Sequence, residues 1–335
     1  MPIIKQLNLN YRKKLNLKYI YKGNSSNIYK LNLRRVKSLI FLIISLILIR
    51  NPKNSQKDIK VCVCTLAKLE NKYIREFVQH YKNYGVDKIF LYDNNDIYGE
   101  KFEEVINDYI KEGFVEIMNW RGKKFAMLKI MNDCYHKNYK YYDWLLFYEI
   151  DEYIHLYNFQ NIKLFLNQAK FKKCQEIFLN LVCHTDNNYL YYRDEPLAKR
   201  FPYTVPETKP AGKRLEIKSI IKGNIRHVNI DSNHLGDTLL KACNSFGIHE
   251  KIKGIFKYNG DQKFYYIDHY YSKSTEEFIT KISKGDAIRD DIQYVFERIE
   301  KYFNQSEITE KKLEMIEQKL HINLDKYRNK SIFII

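Results

Sequence analysis

The stretch Trp144-Leu145-Leu146-Phe147-Tyr148-Glu149-Ile150-Asp151-Glu152-Tyr153 decides how the rest of the chain is interpreted. It begins as an uncharged run of apolar and aromatic residues, which is typical of a strand buried on both faces. Three carboxylates follow within four residues. Side chains alternate along an extended chain, so we expect Glu149 and Asp151 to point one way and Glu152 the other. Two carboxylates at a strand end suit a hard cation that prefers oxygen ligands, such as Mg²⁺ or Mn²⁺.

The same carboxylates have a simpler interpretation, in which the strand runs into a helix. Asp151 would then be the N-cap, and Glu152 would lie in the first turn, where negative charge is favoured. Because carboxylates are common at helix starts, the metal hypothesis needs support from the rest of the chain.

Strands and helices alternate before this stretch. The predicted strands are Lys60–Thr65, Lys88–Tyr92, Phe114–Met118 and Trp144–Tyr148, and the helices between them are Asn71–Tyr84, Lys101–Glu112 and Lys123–Lys137. This order predicts an α/β fold with a doubly wound, mainly parallel sheet and helices on both faces. Ligands bind where the strands of such a sheet end, and two of these ends carry Asp93-Asn94-Asn95 and Glu149-Ile150-Asp151.

Phosphate-binding loops are missing from this pattern. The first strand is not followed by Gly-x-Gly-x-x-Gly, and there is no Gly-Lys-Ser/Thr loop. A nucleotide bound here is therefore expected to be held through a metal. Further along, the sequence predicts a helix over Ile162–Ala169, strands near 176–182, 218–222 and 264–267, a helix over Ser274–Gly285, and mostly helix after Asp290.

Basic and acidic residues are distributed unevenly along the chain. Residues 1–57 hold 13 Lys and Arg and no Asp or Glu, whereas the remainder holds 44 basic against 40 acidic residues. The nearly neutral remainder argues against a nucleic-acid channel, so no nucleic-acid partner is expected. We predict a basic N-terminal extension at 1–57, a catalytic domain at 58–290 and a C-terminal helical extension at 291–335.

Residues 36–49 of the extension form a short apolar segment. A helix of that length is about 21 Å long, against about 30 Å for the hydrocarbon core of a bilayer. Together with the basic charge it predicts attachment to a membrane surface, or a short signal-anchor, with the N-terminus in the cytosol. The alternative is a solvated basic tail followed by a buried helix.

The six cysteines show no Cys-x-x-Cys spacing and no zinc pattern. We expect all six to be reduced, buried thiols, which favours a cytosolic catalytic domain.

Five separated stretches carry a resemblance to a known family, and one of them, Asn132-Asp133-Cys134, stands where that family's third helix leads to its metal motif. Thr65–Phe77 is similar to the opening strand and helix of the GT-A glycosyltransferases, most closely of glycosyltransferase family 92 and the family 2-like group near it. Gly85–Asn95 resembles the second strand and donor loop. Glu149–Tyr153 resembles the Asp-x-Asp-Glu-aromatic motif, with Glu149 where the family usually has Asp. Asp268–Gly285, with Lys281, resembles the closing His-Tyr-x-x-Lys-Ser segment.

The resemblance implies a metal-dependent, hexosyltransferase-type enzyme of glycan biosynthesis with a GT-A-like fold. It implies Mn²⁺ or Mg²⁺, a nucleotide-sugar donor (UDP-sugar before others), a glycan or glycolipid acceptor, and inversion at the transferred carbon. The implied donor-binding residues are Thr65, Glu70, Asp93, Asn95 and Lys273, and the implied metal ligands are Glu149, Asp151 and His269. Lys273 and the N-terminus of the helix after it are expected to neutralise phosphate.

Inversion needs a base that removes the proton of the acceptor hydroxyl. We choose Asp186, because Cys183-His184-Thr185-Asp186-Asn187 follows a predicted strand. The other acids of this loop region, Asp194, Glu195, Asp231 and Asp237, stay open as alternatives.

Two other functions compete with glycosyl transfer. A nucleotidyltransferase also combines a doubly wound sheet with carboxylates and Mg²⁺, but it would lack the closing His-Tyr-x-x-Lys-Ser segment. A non-catalytic protein could use the basic tail, with its interleaved Tyr11, Tyr19, Tyr21 and Tyr29, to bind nucleic acid or anionic lipid.

Overall fold

The computed structural model describes residues 58–124, 126–206, 215–232, 234, 239–249, 256–257, 264–285 and 291–331. The basic extension, with its apolar segment 36–49, lies outside these residues. The strands are β1 Val61–Ala67, β2 Lys88–Asp93, β3 Val115–Asn119, β4 Trp144–Phe147, β5 Glu152–Leu156, β6 Glu176–Cys183, β7 Leu215–Lys222, β8 Ala242–Cys243, β9 Phe256–Lys257 and β10 Tyr265–His269.

The helices that pack on these strands are α1 Asn71–Asn83, α2 Glu103–Lys111, α3 Met127–Asn138, α4 Ile162–Leu166, α5 Leu197–Arg200, α6 Thr275–Ser283, α7 Ile292–Gln305, α8 Glu310–Leu320 and α9 Asp325–Ser331. A 3₁₀ turn covers Ala169–Phe171. Within the described part of the chain, every helix is too short or too polar to cross a membrane.

The sheet has the order β3-β2-β1-β4-β7-β6-β10-β5. Strands β1 to β4 are mutually parallel. Beyond them β7 runs antiparallel to both β4 and β6, while β10 is parallel to β6 and antiparallel to β5. The predicted α/β class with a doubly wound sheet is therefore confirmed, and the antiparallel pairings all involve strands that follow β4 in the chain.

Helices cover both faces of the parallel half. On one face Cys62, Phe90 and Leu145 share a buried cluster with Ile130 and Tyr135 of α3. The residues next to these along each strand point to the opposite face of the sheet. There the ring of Tyr148 lies 6.0 Å from that of Tyr81 in α1. Since β1 lies between β2 and β4, the strand order reverses beside β1, which is the point where such sheets bind ligands.

Two disulfide bonds correct the prediction of six reduced thiols. Cys64 of β1 is bonded to Cys134 of α3, and Cys174 is bonded to Cys243 of β8. Cys62 and Cys183 are free and buried. The bonded pairs lie 70 and 69 residues apart, so only the packing of α3 on the sheet and of β8 beside β6 reveals them. The expectation of a cytosolic domain loses the support that it took from reduced thiols.

Thiol labelling should find two reactive cysteines. We expect the unfolded, unreduced protein to take up alkylating reagent at Cys62 and Cys183 only, and at all six cysteines after reduction. Mass spectrometry of the labelled peptides measures this directly. Labelling of Cys64 or Cys174 without reductant, in protein purified under non-reducing conditions, would contradict the disulfide assignment.

The C-terminal helices share a core with the domain. Side chains of α7, α8 and α9 pack in one cluster with Tyr271, Phe278 and Ile279. Helix α6 begins as its sequence predicts, because the Ser274 hydroxyl accepts the Glu277 N–H and the Glu277 carboxylate accepts the Ser274 N–H, a capping box. This packing carries α7 to the edge of the cavity described next.

Candidate active site

A cavity of about 550 Å³ opens where β1, β2 and β4 end. Its walls also include residues from β7, β10, α6 and α7. The polar lining residues that matter below are Lys68, Glu70, Asn94, Glu149, Asp151, Glu152, Glu216, His269, Lys281, Lys284, Glu297, Arg298 and Lys301. The cavity therefore sits at the predicted switch point and holds many charges of both signs.

A tight turn between β4 and β5 carries Glu149 and Asp151, and Glu152 is the first residue of β5. Strand β4 ends at Phe147 and β5 begins at Glu152. The Glu152 N–H donates to the Glu149 carbonyl at 3.0 Å, and the Glu149 N–H donates to the Glu152 carboxylate at 2.9 Å. Both predicted geometries, strand alternation and an Asp151 N-cap, are therefore wrong.

Lys218 of β7 pairs with two of these carboxylates. Its Nζ lies 2.7 Å from Glu149 Oε1 and 3.2 Å from Glu152 Oε1, and its side chain is 2% exposed. Burial raises the pKa of Glu152 to about 8. For Glu149 the Lys218 ammonium outweighs burial and holds the pKa well below its usual range. Glu149 thus shares Lys218 with Glu152, and it also lines the main cavity together with Asp151.

Asp151 is grouped with His269 and Lys281. Its Oδ1 lies 3.8 Å from His269 Nε2, and its Oδ2 accepts a hydrogen bond from Lys281 Nζ at 2.6 Å. The pairing of β10 with β5 brings His269 here, because the Tyr270 N–H donates to the Asp151 carbonyl at 2.9 Å. Burial lowers the pKa of His269 to about 3, so the imidazole is neutral at physiological pH.

The residues present fit a divalent cation in part. Asp151 Oδ1 and His269 Nε2 are close enough for one cation to reach both, since metal–oxygen bonds are about 2.0–2.6 Å. Among the described residues no three His, Cys, Asp or Glu side chains form a ready ligand cluster. Mg²⁺ is commonly held by one or two carboxylates together with substrate phosphates, which suits a two-residue site. The role of Glu149 as a third ligand stays a prediction.

Asp93 and Asn95 shape the loop after β2. Arg121 Nη2 lies 2.7 Å from Asp93 Oδ2, and the Asn95 N–H and side-chain amide donate to Asp93 Oδ1 at 3.0 and 2.8 Å. Asn95 Oδ1 in turn accepts the Leu69 N–H at 2.8 Å. Both side chains are buried by these contacts, and it is Asn94 between them that lines the cavity. Their predicted contact with a donor is not tested by this arrangement.

Two other predicted donor residues, Thr65 and Glu70, lie on either side of the end of β1. Thr65 is buried, and its hydroxyl has no hydrogen-bond partner among the described residues. It lines a small second cavity with Glu149 and Lys218. Glu70 lines the main cavity and pairs with Lys284, whose Nζ also donates to the Lys68 carbonyl at 2.8 Å.

Lys273 is buried next to Glu70. Its Nζ is 3.8 Å from Glu70 Oε2 and 3.8 Å from the centre of the Tyr73 ring, and burial lowers its pKa. The first turn of α6 is likewise occupied, because the Glu277 carboxylate there binds Ser274, Tyr73 and Arg200. Two other lysines line the cavity, Lys281 of α6 and Lys284 directly after it, and the phosphate contact expected of Lys273 stays a prediction.

Asp186, the predicted base, is buried away from the lining of the cavity. Its Oδ2 lies 2.6 Å from Lys312 Nζ and accepts a hydrogen bond from the Tyr302 hydroxyl at 2.7 Å. Its side chain is 2% exposed, and it fastens the loop after β6 to α7 and α8. The geometry does not support Asp186 as the base. Asp194, Glu195 and Asp231 do not line the cavity either, and Asp237 lies outside the described residues.

Replacing Asp186 by Asn should lower stability and leave catalysis in place. The change removes the negative charge that balances the buried Lys312 ammonium, which should cost about 3 kcal/mol of unfolding free energy. Denaturant unfolding measures the loss, and Asp186→Asn with Lys312→Met should recover part of it. A folded Asp186→Asn protein whose turnover falls a hundredfold or more would restore Asp186 as the base.

Sequence reasoning missed several cavity residues. Lys218 is flanked by the apolar residues Ile217, Ile220 and Ile221 of β7, and a lysine in a buried strand is a signal of a buried ion pair. Lys281 stood in the closing segment but received no role. Arg298 and Lys301 lie on α7, in a region whose pattern suggested only a charged helix.

The fold and the cavity define an α/β protein with a charged cavity at the carboxyl ends of parallel strands. The family model of glycosyltransferase family 92 matches residues 57–324, and the chain belongs to that family. A family 92 protein of Ricinus communis is 25% identical over 109 residues, which are 30% of this chain and 18% of that protein. A family 92 protein of Oryza sativa subsp. japonica is 28% identical over 108 residues, or 30% and 17%.

The matching stretch thus spans less than a fifth of either relative. Among solved structures, S. aureus TarS 1–349 in complex with UDP is 12% identical, with a TM-score of 0.34, covering 82% of this chain and 75% of that one. The same protein in complex with UDP-GlcNAc is 14% identical, with a TM-score of 0.27, covering 41% and 37%.

Proposed function

We propose that this chain transfers a sugar from a nucleotide-sugar donor to a hydroxyl group of a glycan or glycolipid, with a divalent cation and with inversion. The observation that carries the proposal is the meeting of Asp151, His269 and Lys281 in one cavity at the switch point of the sheet. Membership of family 92 supports it.

The leaving group of such a transfer is a nucleoside diphosphate, which gains negative charge as the sugar departs. Mn²⁺ or Mg²⁺ bound by Asp151 and His269 would supply positive charge to the diphosphate. Lys281 and Lys284 reach the same cavity from α6 and add fixed positive charge there. The neutral imidazole of His269 keeps a lone pair free for a cation.

The candidates for the base that takes the acceptor proton are two carboxylates on the β7 and α7 walls, Glu216 and Glu297. Glu216 accepts hydrogen bonds from Lys301 Nζ at 2.9 Å on both oxygens, and this lysine outweighs burial and lowers the pKa of Glu216 to about 2. Such an acid is a weak base. Glu297 lies on the α7 wall. Comparing Glu216→Gln with Glu297→Gln identifies the base, since only its loss should remove transfer while leaving donor binding unchanged.

The proposal also includes attachment of the protein to a membrane surface. The 13 basic residues and the apolar segment of residues 1–57 support attachment to anionic lipid. Liposome binding of the full chain and of a chain lacking residues 1–57 tests this. Equal partitioning of both into the soluble fraction would contradict it.

Turnover of sugar nucleotides tests the proposed reaction. A panel that begins with UDP-sugars is incubated with the protein in Mn²⁺, in Mg²⁺ and in chelator. We expect one donor to release its nucleoside diphosphate in the metal-containing samples only. Full release in chelator would contradict the metal assignment, and pyrophosphate release from a nucleoside triphosphate and a sugar phosphate would favour a nucleotidyltransferase instead.

A further inference from the structure

Lys281 binds one carboxylate oxygen of Asp151, and the other oxygen is the one nearest His269. Its Nζ donates to Asp151 Oδ2 at 2.6 Å, while Asp151 Oδ1 faces His269 at 3.8 Å. Asp151 has no arginine or second lysine at ion-pair distance among the described residues, so Lys281 is its counter-ion. The Asp151 carboxylate is 6% exposed, and a buried carboxylate needs such a partner.

Lys281 also contacts an aromatic ring. Its Nζ lies 4.2 Å from the centre of the buried Tyr271 ring, which also has Lys301 Nζ at 4.7 Å and the Arg298 guanidinium at 5.4 Å. The face of an aromatic ring attracts cations. Lys281 makes this ring contact and the Asp151 hydrogen bond at the same time, and its flexible stem allows the ammonium to rotate from Asp151 within the cavity.

We propose that Lys281 is an exchangeable counter-ion: it neutralises Asp151 before the donor binds, and it passes to the donor diphosphate when a divalent cation takes Asp151. This rests on the proposed function, since it assumes a diphosphate in the cavity. Two cations compete for one carboxylate, so the lysine weakens binding of the metal alone. Once released, its charge strengthens binding of the diphosphate. Metal and nucleotide affinities are then coupled through one side chain.

The exchange predicts changes of opposite sign when Lys281 is neutralised. In Lys281→Met, which keeps the apolar stem, Mn²⁺ binding without nucleotide should tighten about fivefold or more, because Asp151 has lost its competing cation. UDP binding at saturating Mn²⁺ should weaken by a similar factor, because the diphosphate has lost a positive partner. A lysine that only supports the fold would weaken both.

Calorimetric titration of the full chain measures both affinities, with Mn²⁺ and UDP as the probes. Lys281→Gln is the second variant, and thermal unfolding checks that each variant is folded. Lys284→Met is the matched control, because Lys284 lines the same cavity but contacts Glu70 and the Lys68 carbonyl. It should leave Mn²⁺ affinity without nucleotide unchanged. Asp151→Asn should remove Mn²⁺ binding in every background.

The Mn²⁺ titration tests the proposed exchange of Lys281 without any sugar-nucleotide donor. Tighter Mn²⁺ binding by folded Lys281→Met or Lys281→Gln supports it. Unchanged or weaker Mn²⁺ binding by both variants, or wild-type Mn²⁺ binding that Asp151→Asn does not affect, would overturn it. Failure of the proposed reaction shows instead as absent nucleoside-diphosphate release from every sugar nucleotide, a separate measurement.

Discussion

Replacing Asp151 by Asn is expected to lower sugar-nucleotide turnover about a thousandfold or more while the protein stays folded. Asn keeps the size of the side chain but loses the charge that a divalent cation and Lys281 both require. Removing one group that stabilises transition-state charge typically costs a factor of about 100–1,000, and loss of a bound cation adds to it. Steady-state release of nucleoside diphosphate in Mn²⁺ measures the effect.

The control for this change is Asp186→Asn. Both variants neutralise a buried aspartate that is paired with a lysine, but only Asp151 lines the cavity. We expect the loss of turnover to follow the cavity position. Asp151→Asn with turnover within about tenfold of the wild type would contradict the assignment of Asp151 to the reaction.

Replacing Lys218 by Met is expected to destabilise the domain by about 3–5 kcal/mol, which is the usual cost of removing one partner from a buried ion pair. Glu152 is 0% exposed, and the change removes the ammonium that Glu152 shares with Glu149. Burial raises the pKa of Glu152 to about 8, so this carboxyl is mostly neutral at pH 7, and the charge that loses its partner is that of Glu149, which lies 2.7 Å from Lys218 Nζ. Denaturant unfolding at pH 7 measures the loss.

A matched double variant separates charge from packing. Lys218→Met with Glu149→Gln removes the unpaired carboxylate together with its partner, and it should recover part of the lost unfolding free energy. No recovery would indicate that Lys218 contributes through its packed stem. A Lys218→Met protein as stable as the wild type would contradict the view that this pair fixes the turn between β4 and β5.

Local pattern predicted the parallel half of the fold well. The strands and helices from Val61 to Phe147 lie within a few residues of their predicted bounds, because buried strands and amphipathic helices each leave a periodic signal. The Ser274 cap was also predicted, since a capping box is a signature of local sequence. The turn from Glu149 to Glu152 was not, because one of its two hydrogen bonds runs from the Glu149 N–H to the Glu152 side chain, and the sequence pattern does not reveal it.

Contacts between distant residues were predicted only where a resemblance supplied them. His269 reaches Asp151 as expected, at 3.8 Å, although their roles as metal ligands stay predictions. Lys218, the two disulfides and the wall formed by α7 were missed, because each depends on which strands and helices become neighbours. Asp186 was chosen for its place after a strand, and its pairing with Lys312 depends on a helix more than 100 residues further on.

The most direct test of the site is the position of Mn²⁺ in crystals grown with UDP, located by anomalous scattering. The account predicts one strong peak bonded to Asp151 and His269 at about 2.0–2.3 Å, with diphosphate oxygens completing the shell and Lys281 turned from Asp151 toward the diphosphate. A peak elsewhere, or UDP bound with Lys281 still paired to Asp151, would contradict it.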